Sequence, residues 1–215
     1  MNLRQILLRY FLPMVASFFV LSFVFMIPTV QNSYYSFFEK IALSAATSSN
    51  SDVYFKAKKG TEEAPNHPDK TTILFNSKSY LQALVERAKA TGQQGVYDYK
   101  GFVVTITEYF ITPLIFFFSL MIVTPGAIGR KLFNFLLGSL LIIGFAYLTI
   151  RFRSCFAIAE SGLPGMSFSP REIKAYKLLS FALSSITTIT IVLLLWVLLA
   201  FRKSDLRNAF DWEGM

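Results

Sequence analysis

The stretch from Tyr109 to Ile150, YFITPLIFFFSLMIVTPGAIGRKLFNFLLGSLLIIGFAYLTI, decides the fold of this chain. Two long apolar runs are separated by a short turn that contains Pro125, Gly126 and a basic pair. A membrane-spanning helix needs about 20 apolar residues, proline and glycine interrupt helices, and basic residues favour the cytoplasmic side of a bilayer. The stretch therefore predicts a helical hairpin through a membrane.

The composition agrees with a membrane location and excludes several kinds of site. The 215 residues are 53% hydrophobic and include 23 phenylalanines, which is rare in a soluble domain of this length. The net charge is +8, but Lys and Arg lie mainly beside the apolar runs and in one polar segment. We therefore expect anionic lipid headgroups as partners and no nucleic acid. One cysteine and one histidine exclude an internal disulfide and a multi-cysteine metal site, and we expect no metal or cofactor.

Four apolar segments predict a membrane all-α fold with four transmembrane helices. Span one follows Arg4 and Arg9, and its apolar part is longer than the core of a cleaved signal peptide, so it is interpreted as a retained anchor. Pro13 and Pro28 lie near its ends, where helix breaks are tolerated, and Pro113 predicts a kink in span two. The four predicted spans cover roughly residues 11–27, residues 102 or 109 to 124, residues 132–150 and residues 170–203.

The ends of spans three and four carry local signals. Span three keeps helical character beyond its apolar run until Gly162, where a stop is expected. Ser169 as N-cap, Pro170 at the first helical position and Glu172 at the third predict a capping box that starts span four.

The only sizeable polar segment lies between spans one and two and predicts a small α+β insertion outside the cytoplasm. Its aromatic, amphipathic start (33–43) is expected at the membrane interface. Strand-like runs follow at 53–60, 71–75 and 101–107, with a helix from Tyr80 that Ser77 or Ser79 caps and Gly92 ends. About 60 residues make a weak core alone, so this cap is expected to rest on the helices or on a partner. The predicted division is an N-terminal anchor (1–32), an interfacial segment with the cap (33–101), and a three-helix region with a cytoplasmic tail (102–215).

The distribution of basic residues predicts the orientation of the chain. Four spans place both termini on one side, where the short segments carry seven Lys and Arg against five in the opposite loop at 151–177. By the positive-inside rule, both termini are expected in the cytoplasm, with several passes through a membrane.

Arg151, Arg153 and Cys155 form one candidate for chemistry. Arg151 and Cys155 are four residues apart and share a helix face, and a nearby cation lowers the pKa of a thiol and makes it a nucleophile. This would suit a transpeptidase-like membrane cysteine enzyme. The alternative is a small packing cysteine between two interfacial arginines that contact lipid phosphate. Catalysis also needs a base near the thiol, and the candidates Glu108 and His67 are distant in sequence.

Glu108, at the start of span two, is expected to pair with Arg151 or Arg153, or to lie with them among lipid headgroups. The apolar parts of the spans contain no other ionisable residue. This disfavours a proton-coupled transporter or an ion channel, which usually place charges or broken helices at depth.

Small and hydroxylated residues in spans three and four predict close helix packing. Such stripes let helices approach and hydrogen-bond, either within this chain or with a foreign subunit. The predicted packing residues are Ser180, Ser184, Thr187 and Thr188 in span four and Gly138 and Gly144 in span three. His67, alone in a polar loop, is a poor metal ligand, and no phosphate-binding or dinucleotide motif occurs.

Three pieces of the chain resemble the small membrane proteins associated with bacterial exosortase systems. They are NLRQILLRYFLP at the start, TPLIFFFSLMIVTPG leading to RKLFNFLLGSLLIIG, and FSPREIKAY before the last span, which together cover about half of the chain. The resemblance implies a non-catalytic companion of a membrane sorting enzyme. The cysteine context of that enzyme's own active site is not found at 153–155, which disfavours the catalytic alternative.

These observations lead to three hypotheses about function. The first is a non-catalytic accessory or assembly subunit of a bacterial inner-membrane complex, such as a protein-sorting or export system, with other integral membrane proteins as partners. The second is a membrane enzyme that uses Cys155 with Arg151 or Arg153. The third is a small component of a transporter, which would need a hydrated path.

Overall fold

The computed structural model describes residues 7–61, 69–92, 98–124, 127–183 and 185–200. Its elements are α1 (Leu12–Met26), α2 (Pro28–Thr47), β1 (Val53–Lys59), β2 (Lys70–Ser77), α3 (Lys78–Thr91), β3 (Lys100–Thr105), α4 (Thr112–Val123), α5 (Ile128–Ser161), α6 (Pro170–Ala182) and α7 (Ser185–Ala200). The predictions made for Arg4, His67, Pro125, Gly126 and Ser184 fall outside these residues, as do those for the tail after 200 and for the side chain of Arg9.

The chain is mostly helical and carries a small three-stranded sheet, as its sequence predicts. Among the helices of the described ranges, α5 with its 34 residues is the one that is by itself long and apolar enough to cross a membrane. Two further crossings are reached only if α1 with α2, and α6 with α7, each count as one span despite the bend at their break. The apolar helix Thr107–Val123 is shorter.

Two prolines coincide with π-helical turns. The segments Leu7–Phe11 and Thr107–Ile111 are π-helical, and each leads into an α-helix whose second residue is Pro13 or Pro113. Proline has no N–H to donate and its ring clashes with the carbonyl four residues back, so a wider turn relieves that clash. The distortion expected at Pro113 therefore takes the form of a π-helical turn just before it.

The described chain forms two compact units, each built from segments that are distant in sequence. The helical unit comprises residues 7–31, 110–124, 127–145 and 185–200, and the sheet unit comprises residues 32–61, 69–92, 98–109 and 146–183. The sequence segments predicted at 1–32, 33–101 and 102–215 follow chain order, whereas each unit combines early and late parts of the chain.

The helical unit packs around α4. The rings of Phe18 in α1 and Phe116 in α4 lie edge to face with centroids 6.5 Å apart. Gly138 in α5 faces the ring of Phe117, and a Cβ atom at residue 138 would stand 2.1 Å from that ring. Large apolar side chains cover the outside of the unit, including Phe19, Phe23, Leu132, Phe133, Leu136, Leu140, Leu194 and Leu198.

Side chains also join the helices of this unit by hydrogen bonds. The indole N–H of Trp196 donates to the Thr124 hydroxyl at 2.8 Å, and Arg130 donates to the carbonyl of Ala200 at 2.9 Å. The Nζ of Lys131 donates to the Ile122 carbonyl at 3.1 Å, which satisfies a carbonyl that the last turn of α4 leaves without a helical partner. The basic pair expected at the turn, Arg130 and Lys131, therefore also donates hydrogen bonds to carbonyls at the C-terminal ends of α7 and α4.

The sheet unit contains an antiparallel sheet of order β1-β2-β3, so β2 is central. One face of the sheet is buried, with Phe55, Ile73, Phe75 and Val104 in its core. Helix α3 follows β2 directly from Ser77, and it ends at Gly92, whose φ of 66° is the left-handed conformation that glycine adopts easily. The three predicted strands, the helix between them and its glycine stop are confirmed.

Two helices of this unit carry clear sequence signals. Helix α2 buries a stripe at helical spacing made by Tyr35, Phe38, Ala42, Ala45 and Ala46, and the amphipathic pattern predicted for 33–43 forms part of it. Helix α6 begins with the predicted capping box. The Glu172 N–H donates to the Ser169 hydroxyl at 3.3 Å, and the Ser169 N–H donates to the Glu172 carboxylate at 2.8 Å.

Candidate functional site: a cleft in the sheet unit

A cleft of about 420 Å³ opens beside the β3 edge of the sheet unit. Residues 100–102 of β3 and Phe75 of β2 form one wall, and the C-terminal turns of α5 form the other. The volume lies within the range of small-ligand and peptide side-chain pockets. The complete lining is Phe75, Lys100, Gly101, Phe102, Arg153, Phe156, Ala157, Glu160, Ser161 and Ser180.

Arg153 is the half-buried cation of the cleft, and Tyr109 positions it. The Arg153 guanidinium donates to the hydroxyl of the buried Tyr109, and the guanidinium carbon lies 5.9 Å from the centroid of the same ring. A guanidinium has five donors in a planar fork, so one bond to Tyr109 leaves donors for a ligand. The arrangement suits a carboxylate or phosphate that enters the cleft.

The other charged groups of the cleft are exposed. Lys100 forms a 3.8 Å ion pair with Asp98, and both side chains are more than half exposed. Because water screens this pair, Lys100 can leave Asp98 for another anion at little cost in free energy. Glu160 is an exposed carboxylate in the last turn of α5. The cleft therefore presents two cations and one anion.

Aromatic rings make the deeper wall of the cleft. Phe75 is fully buried and its ring centroid lies 6.3 Å from that of Phe102, which is half-buried at the surface of the cleft. Phe156 from α5 completes this wall. A ligand with an apolar group and an anionic group would match the two parts of the lining.

The residues predicted for chemistry at the end of span three all lie on α5, where Arg151 and Cys155 are about one turn apart and Arg153 is the one of the three that lines the cleft. Arg153 lies in the cleft, Arg151 is exposed outside its lining, and Cys155 is a half-buried free thiol. Glu108 is exposed, and within the described ranges it forms no ion pair with Arg151 or Arg153. Arg153 instead binds Tyr109, the neighbour of Glu108 in sequence.

The polar stripe predicted in span four divides between the two units. Ser180 lines the cleft in the sheet unit, whereas Thr188 is buried and Thr187 half-buried in the helical unit. The predicted glycines also differ. Gly138 meets Phe117 of α4, and a Cβ on the exposed Gly144 would meet nothing within 4 Å.

Sequence patterns did not single out Lys100, Tyr109, Phe156 or Glu160 as site residues. Tyr109 is 44 residues from Arg153, and no local spacing connects the two. The only available signal was the position of charged residues next to apolar runs, which is equally typical of membrane boundaries.

The described part of the chain contains no cluster of three or more His, Cys, Asp or Glu side chains that could hold a metal ion. Comparison with known proteins found no matching family model, no matching curated protein and no matching solved structure.

Proposed function

We propose that this chain is a non-catalytic accessory subunit of a bacterial inner-membrane complex, and that the sheet unit binds another protein of that complex. The observation that carries the proposal is the cleft itself. Arg153, a cation positioned by the buried Tyr109, lies in it with a wall of phenylalanine rings. Positioned arginines and aromatic rings are typical of recognition sites between proteins. The resemblance to exosortase-associated membrane proteins supports the same accessory role.

The membrane location rests on the outer surface of the helical unit. Phe19 and Phe23 of α1 and Phe133 and Leu140 of α5 are exposed to more than half of their full area. Such a dense apolar surface is stable in lipid and promotes aggregation in water. A groove of about 480 Å³ in the helical unit is lined almost entirely by apolar side chains and fits a lipid acyl chain.

We further propose four crossings with both termini in the cytoplasm. Residues 7–26 are helical throughout and reach the roughly 20 residues that a span needs, and Thr107–Val123 is at the lower end of the range. Helix α5 supplies the third crossing, and α7 with the end of α6 supplies the fourth. This topology places the polar segment between spans one and two, residues 44–101, outside the cytoplasm.

The test is extraction of the tagged protein from its native membranes in a mild detergent, with the co-purifying chains identified and quantified. We expect one membrane protein to co-purify in stoichiometric amount with the unmodified protein and with the Arg151→Gln variant. We expect its amount to be strongly reduced or zero with the Arg153→Gln variant. Arg151 is the matched control because it lies two residues away on the same helix but outside the cleft lining. A protein that purifies alone would overturn the proposal.

A further inference from the structure

The two edges of the three-stranded sheet are built differently. Edge strand β1 carries the exposed Lys56, Lys58 and Lys59, and lysines along an edge are a common protection against pairing with another strand. Edge strand β3 has Lys100 at its start and then the uncharged run of residues 101–105. The β3 edge therefore lacks the charge protection that the β1 edge has.

The register shows which backbone groups of β3 are available. The Ile106 N–H donates to the Asp69 carbonyl at 2.9 Å, and the pairing of β2 with β3 continues from there without interruption. Backbone N–H and C=O groups alternate between the two sides of a strand. The even-numbered residues of β3 therefore point these groups at β2, and Gly101, Val103 and Thr105 point theirs away from the sheet.

These outward groups lie beside the cleft and are accessible. Within the described residues, β2 is the one strand that pairs with β3, so the other side of β3 is a free edge. Gly101 is exposed, and Val103 and Thr105 are half-exposed. Unsatisfied backbone donors and acceptors along an edge are the template to which an extended peptide can add.

We propose that the β3 edge and the cleft together bind an extended segment of a partner polypeptide, which adds to the sheet as a fourth strand. The side chains of Lys100 and Phe102 lie on the cleft side of β3, so alternate residues of the added strand would also face the cleft. An apolar residue of the segment packs against Phe102 and Phe156. A carboxylate two residues along the segment accepts hydrogen bonds from Arg153.

Charge supports this choice of occupant. Arg153 keeps free donors after its bond to Tyr109, and the exposed pair of Lys100 with Asp98 leaves Lys100 available. A segment with an apolar side chain and an acidic side chain two residues apart presents both to the cleft, one to its rings and the other to its cations. This inference rests on the proposed function, because it names the way in which the subunit holds its partner.

The first experiment compares two edge prolines in the full-length protein. Val103→Pro removes an outward N–H of β3 and leaves the bonds to β2 intact. Ala57→Pro is the matched control, since the bond from Gly60 N–H to the Lys70 carbonyl places the Ala57 N–H on the outer side of β1. We expect Val103→Pro to reduce the co-purifying partner at least tenfold and Ala57→Pro to leave its amount within twofold.

The second experiment needs no substitution. Residue-resolved amide hydrogen exchange is measured on the tagged protein alone and on the complex isolated from native membranes. We expect the amides of Gly101, Val103 and Thr105 to exchange fast in the protein alone and to slow at least tenfold in the complex. The amides of Phe102 and Val104 are expected to be slow in both samples.

The outcomes separate this inference from the proposed function. Unchanged exchange at Gly101 and Val103 in a stoichiometric complex overturns strand addition, whether or not the proline variants fold, and leaves the subunit function standing. Equal partner binding by Val103→Pro and Ala57→Pro, with both folded by the exchange pattern of β2, also overturns it. A protein that yields no complex at all overturns both proposals.

Discussion

The two units of this chain differ in where they place their large apolar side chains and in which contacts join their elements. In the helical unit, large apolar side chains such as Phe133 remain exposed, and helices are joined by Gly138 against Phe117 and by a few side-chain hydrogen bonds. In the sheet unit, Phe75 and Ile73 are almost completely buried and the charged groups lie at an open cleft. Both units bury apolar side chains, such as Phe117 in the helical unit and Phe75 in the sheet unit. The helical unit also keeps many large apolar side chains exposed, and close helix approach and hydrogen bonds join its helices.

The largest effect that follows from this comparison is expected for one type of substitution made in both units. Phe75→Ala removes a side chain that is 1% exposed and should destabilise the protein by about 3–5 kcal/mol. Phe133→Ala removes a side chain that is 65% exposed and should change stability by less than about 0.5 kcal/mol. Equilibrium unfolding in lipid bicelles measures both, and equal losses would show that the comparison between the units is wrong.

Two glycines of α5 test close approach within the helical unit. Gly138→Ala places a methyl group against the Phe117 ring and should cost about 1–3 kcal/mol, because the ring and the helix must shift. Gly144→Ala meets open space and should leave stability unchanged or raise it slightly, since alanine favours helix. Thermal unfolding of the two variants in the same detergent gives the difference. A Gly138→Ala protein as stable as Gly144→Ala would remove the packing argument.

The hydrogen bond between Trp196 and Thr124 tests how much a polar contact contributes between helices. A double-mutant cycle with Trp196→Phe and Thr124→Val isolates this bond from the other contacts of each side chain. We expect a coupling energy of about 0.5–1.5 kcal/mol, the usual net value of one hydrogen bond. If the changes in the free energy of unfolding caused by the two substitutions simply add, this hydrogen bond does not help to hold α7 beside the end of α4.

The smallest effect is expected at Cys155. The thiol is half-buried and its hydroxyl analogue has a similar volume, so Cys155→Ser should change stability by less than about 1 kcal/mol and leave the cellular function intact. Complementation of a deletion strain measures that function. Complete loss of function in a folded, partner-bound Cys155→Ser protein would support the cysteine-enzyme alternative instead.

Local signals were sufficient for the individual elements. The capping box at Ser169 and Glu172, the glycine stop of α3 and the three strands could all be predicted, because each depends on residues within one or two turns of one another. The break at Ile27 also follows locally, since the proline after it favours an extended conformation, and its ψ is 125°.

The candidate site could be predicted only in part. The sequence singles out Arg153 and Ser180, but it predicts an ion pair, a lipid contact or activation of the Cys155 thiol for Arg153 and helix packing for Ser180. Their place in one cleft depends on α6 folding back within the sheet unit after the glycine at 162, whose φ is 62°. No pattern along the chain encodes that return.

The sequence by itself determined that long apolar segments form helices and that one of these helices can cross a membrane. It also determined that the polar segment between the first and second apolar segments forms a small sheet. Those features follow from hydrophobic length and from local backbone preferences. Only the tertiary structure decided that Tyr109 positions Arg153, that Gly138 admits Phe117, and that β3 presents its free edge beside a cleft. Each of these depends on residues brought together from distant parts of the chain, where packing and register, and not local preference, select the partner.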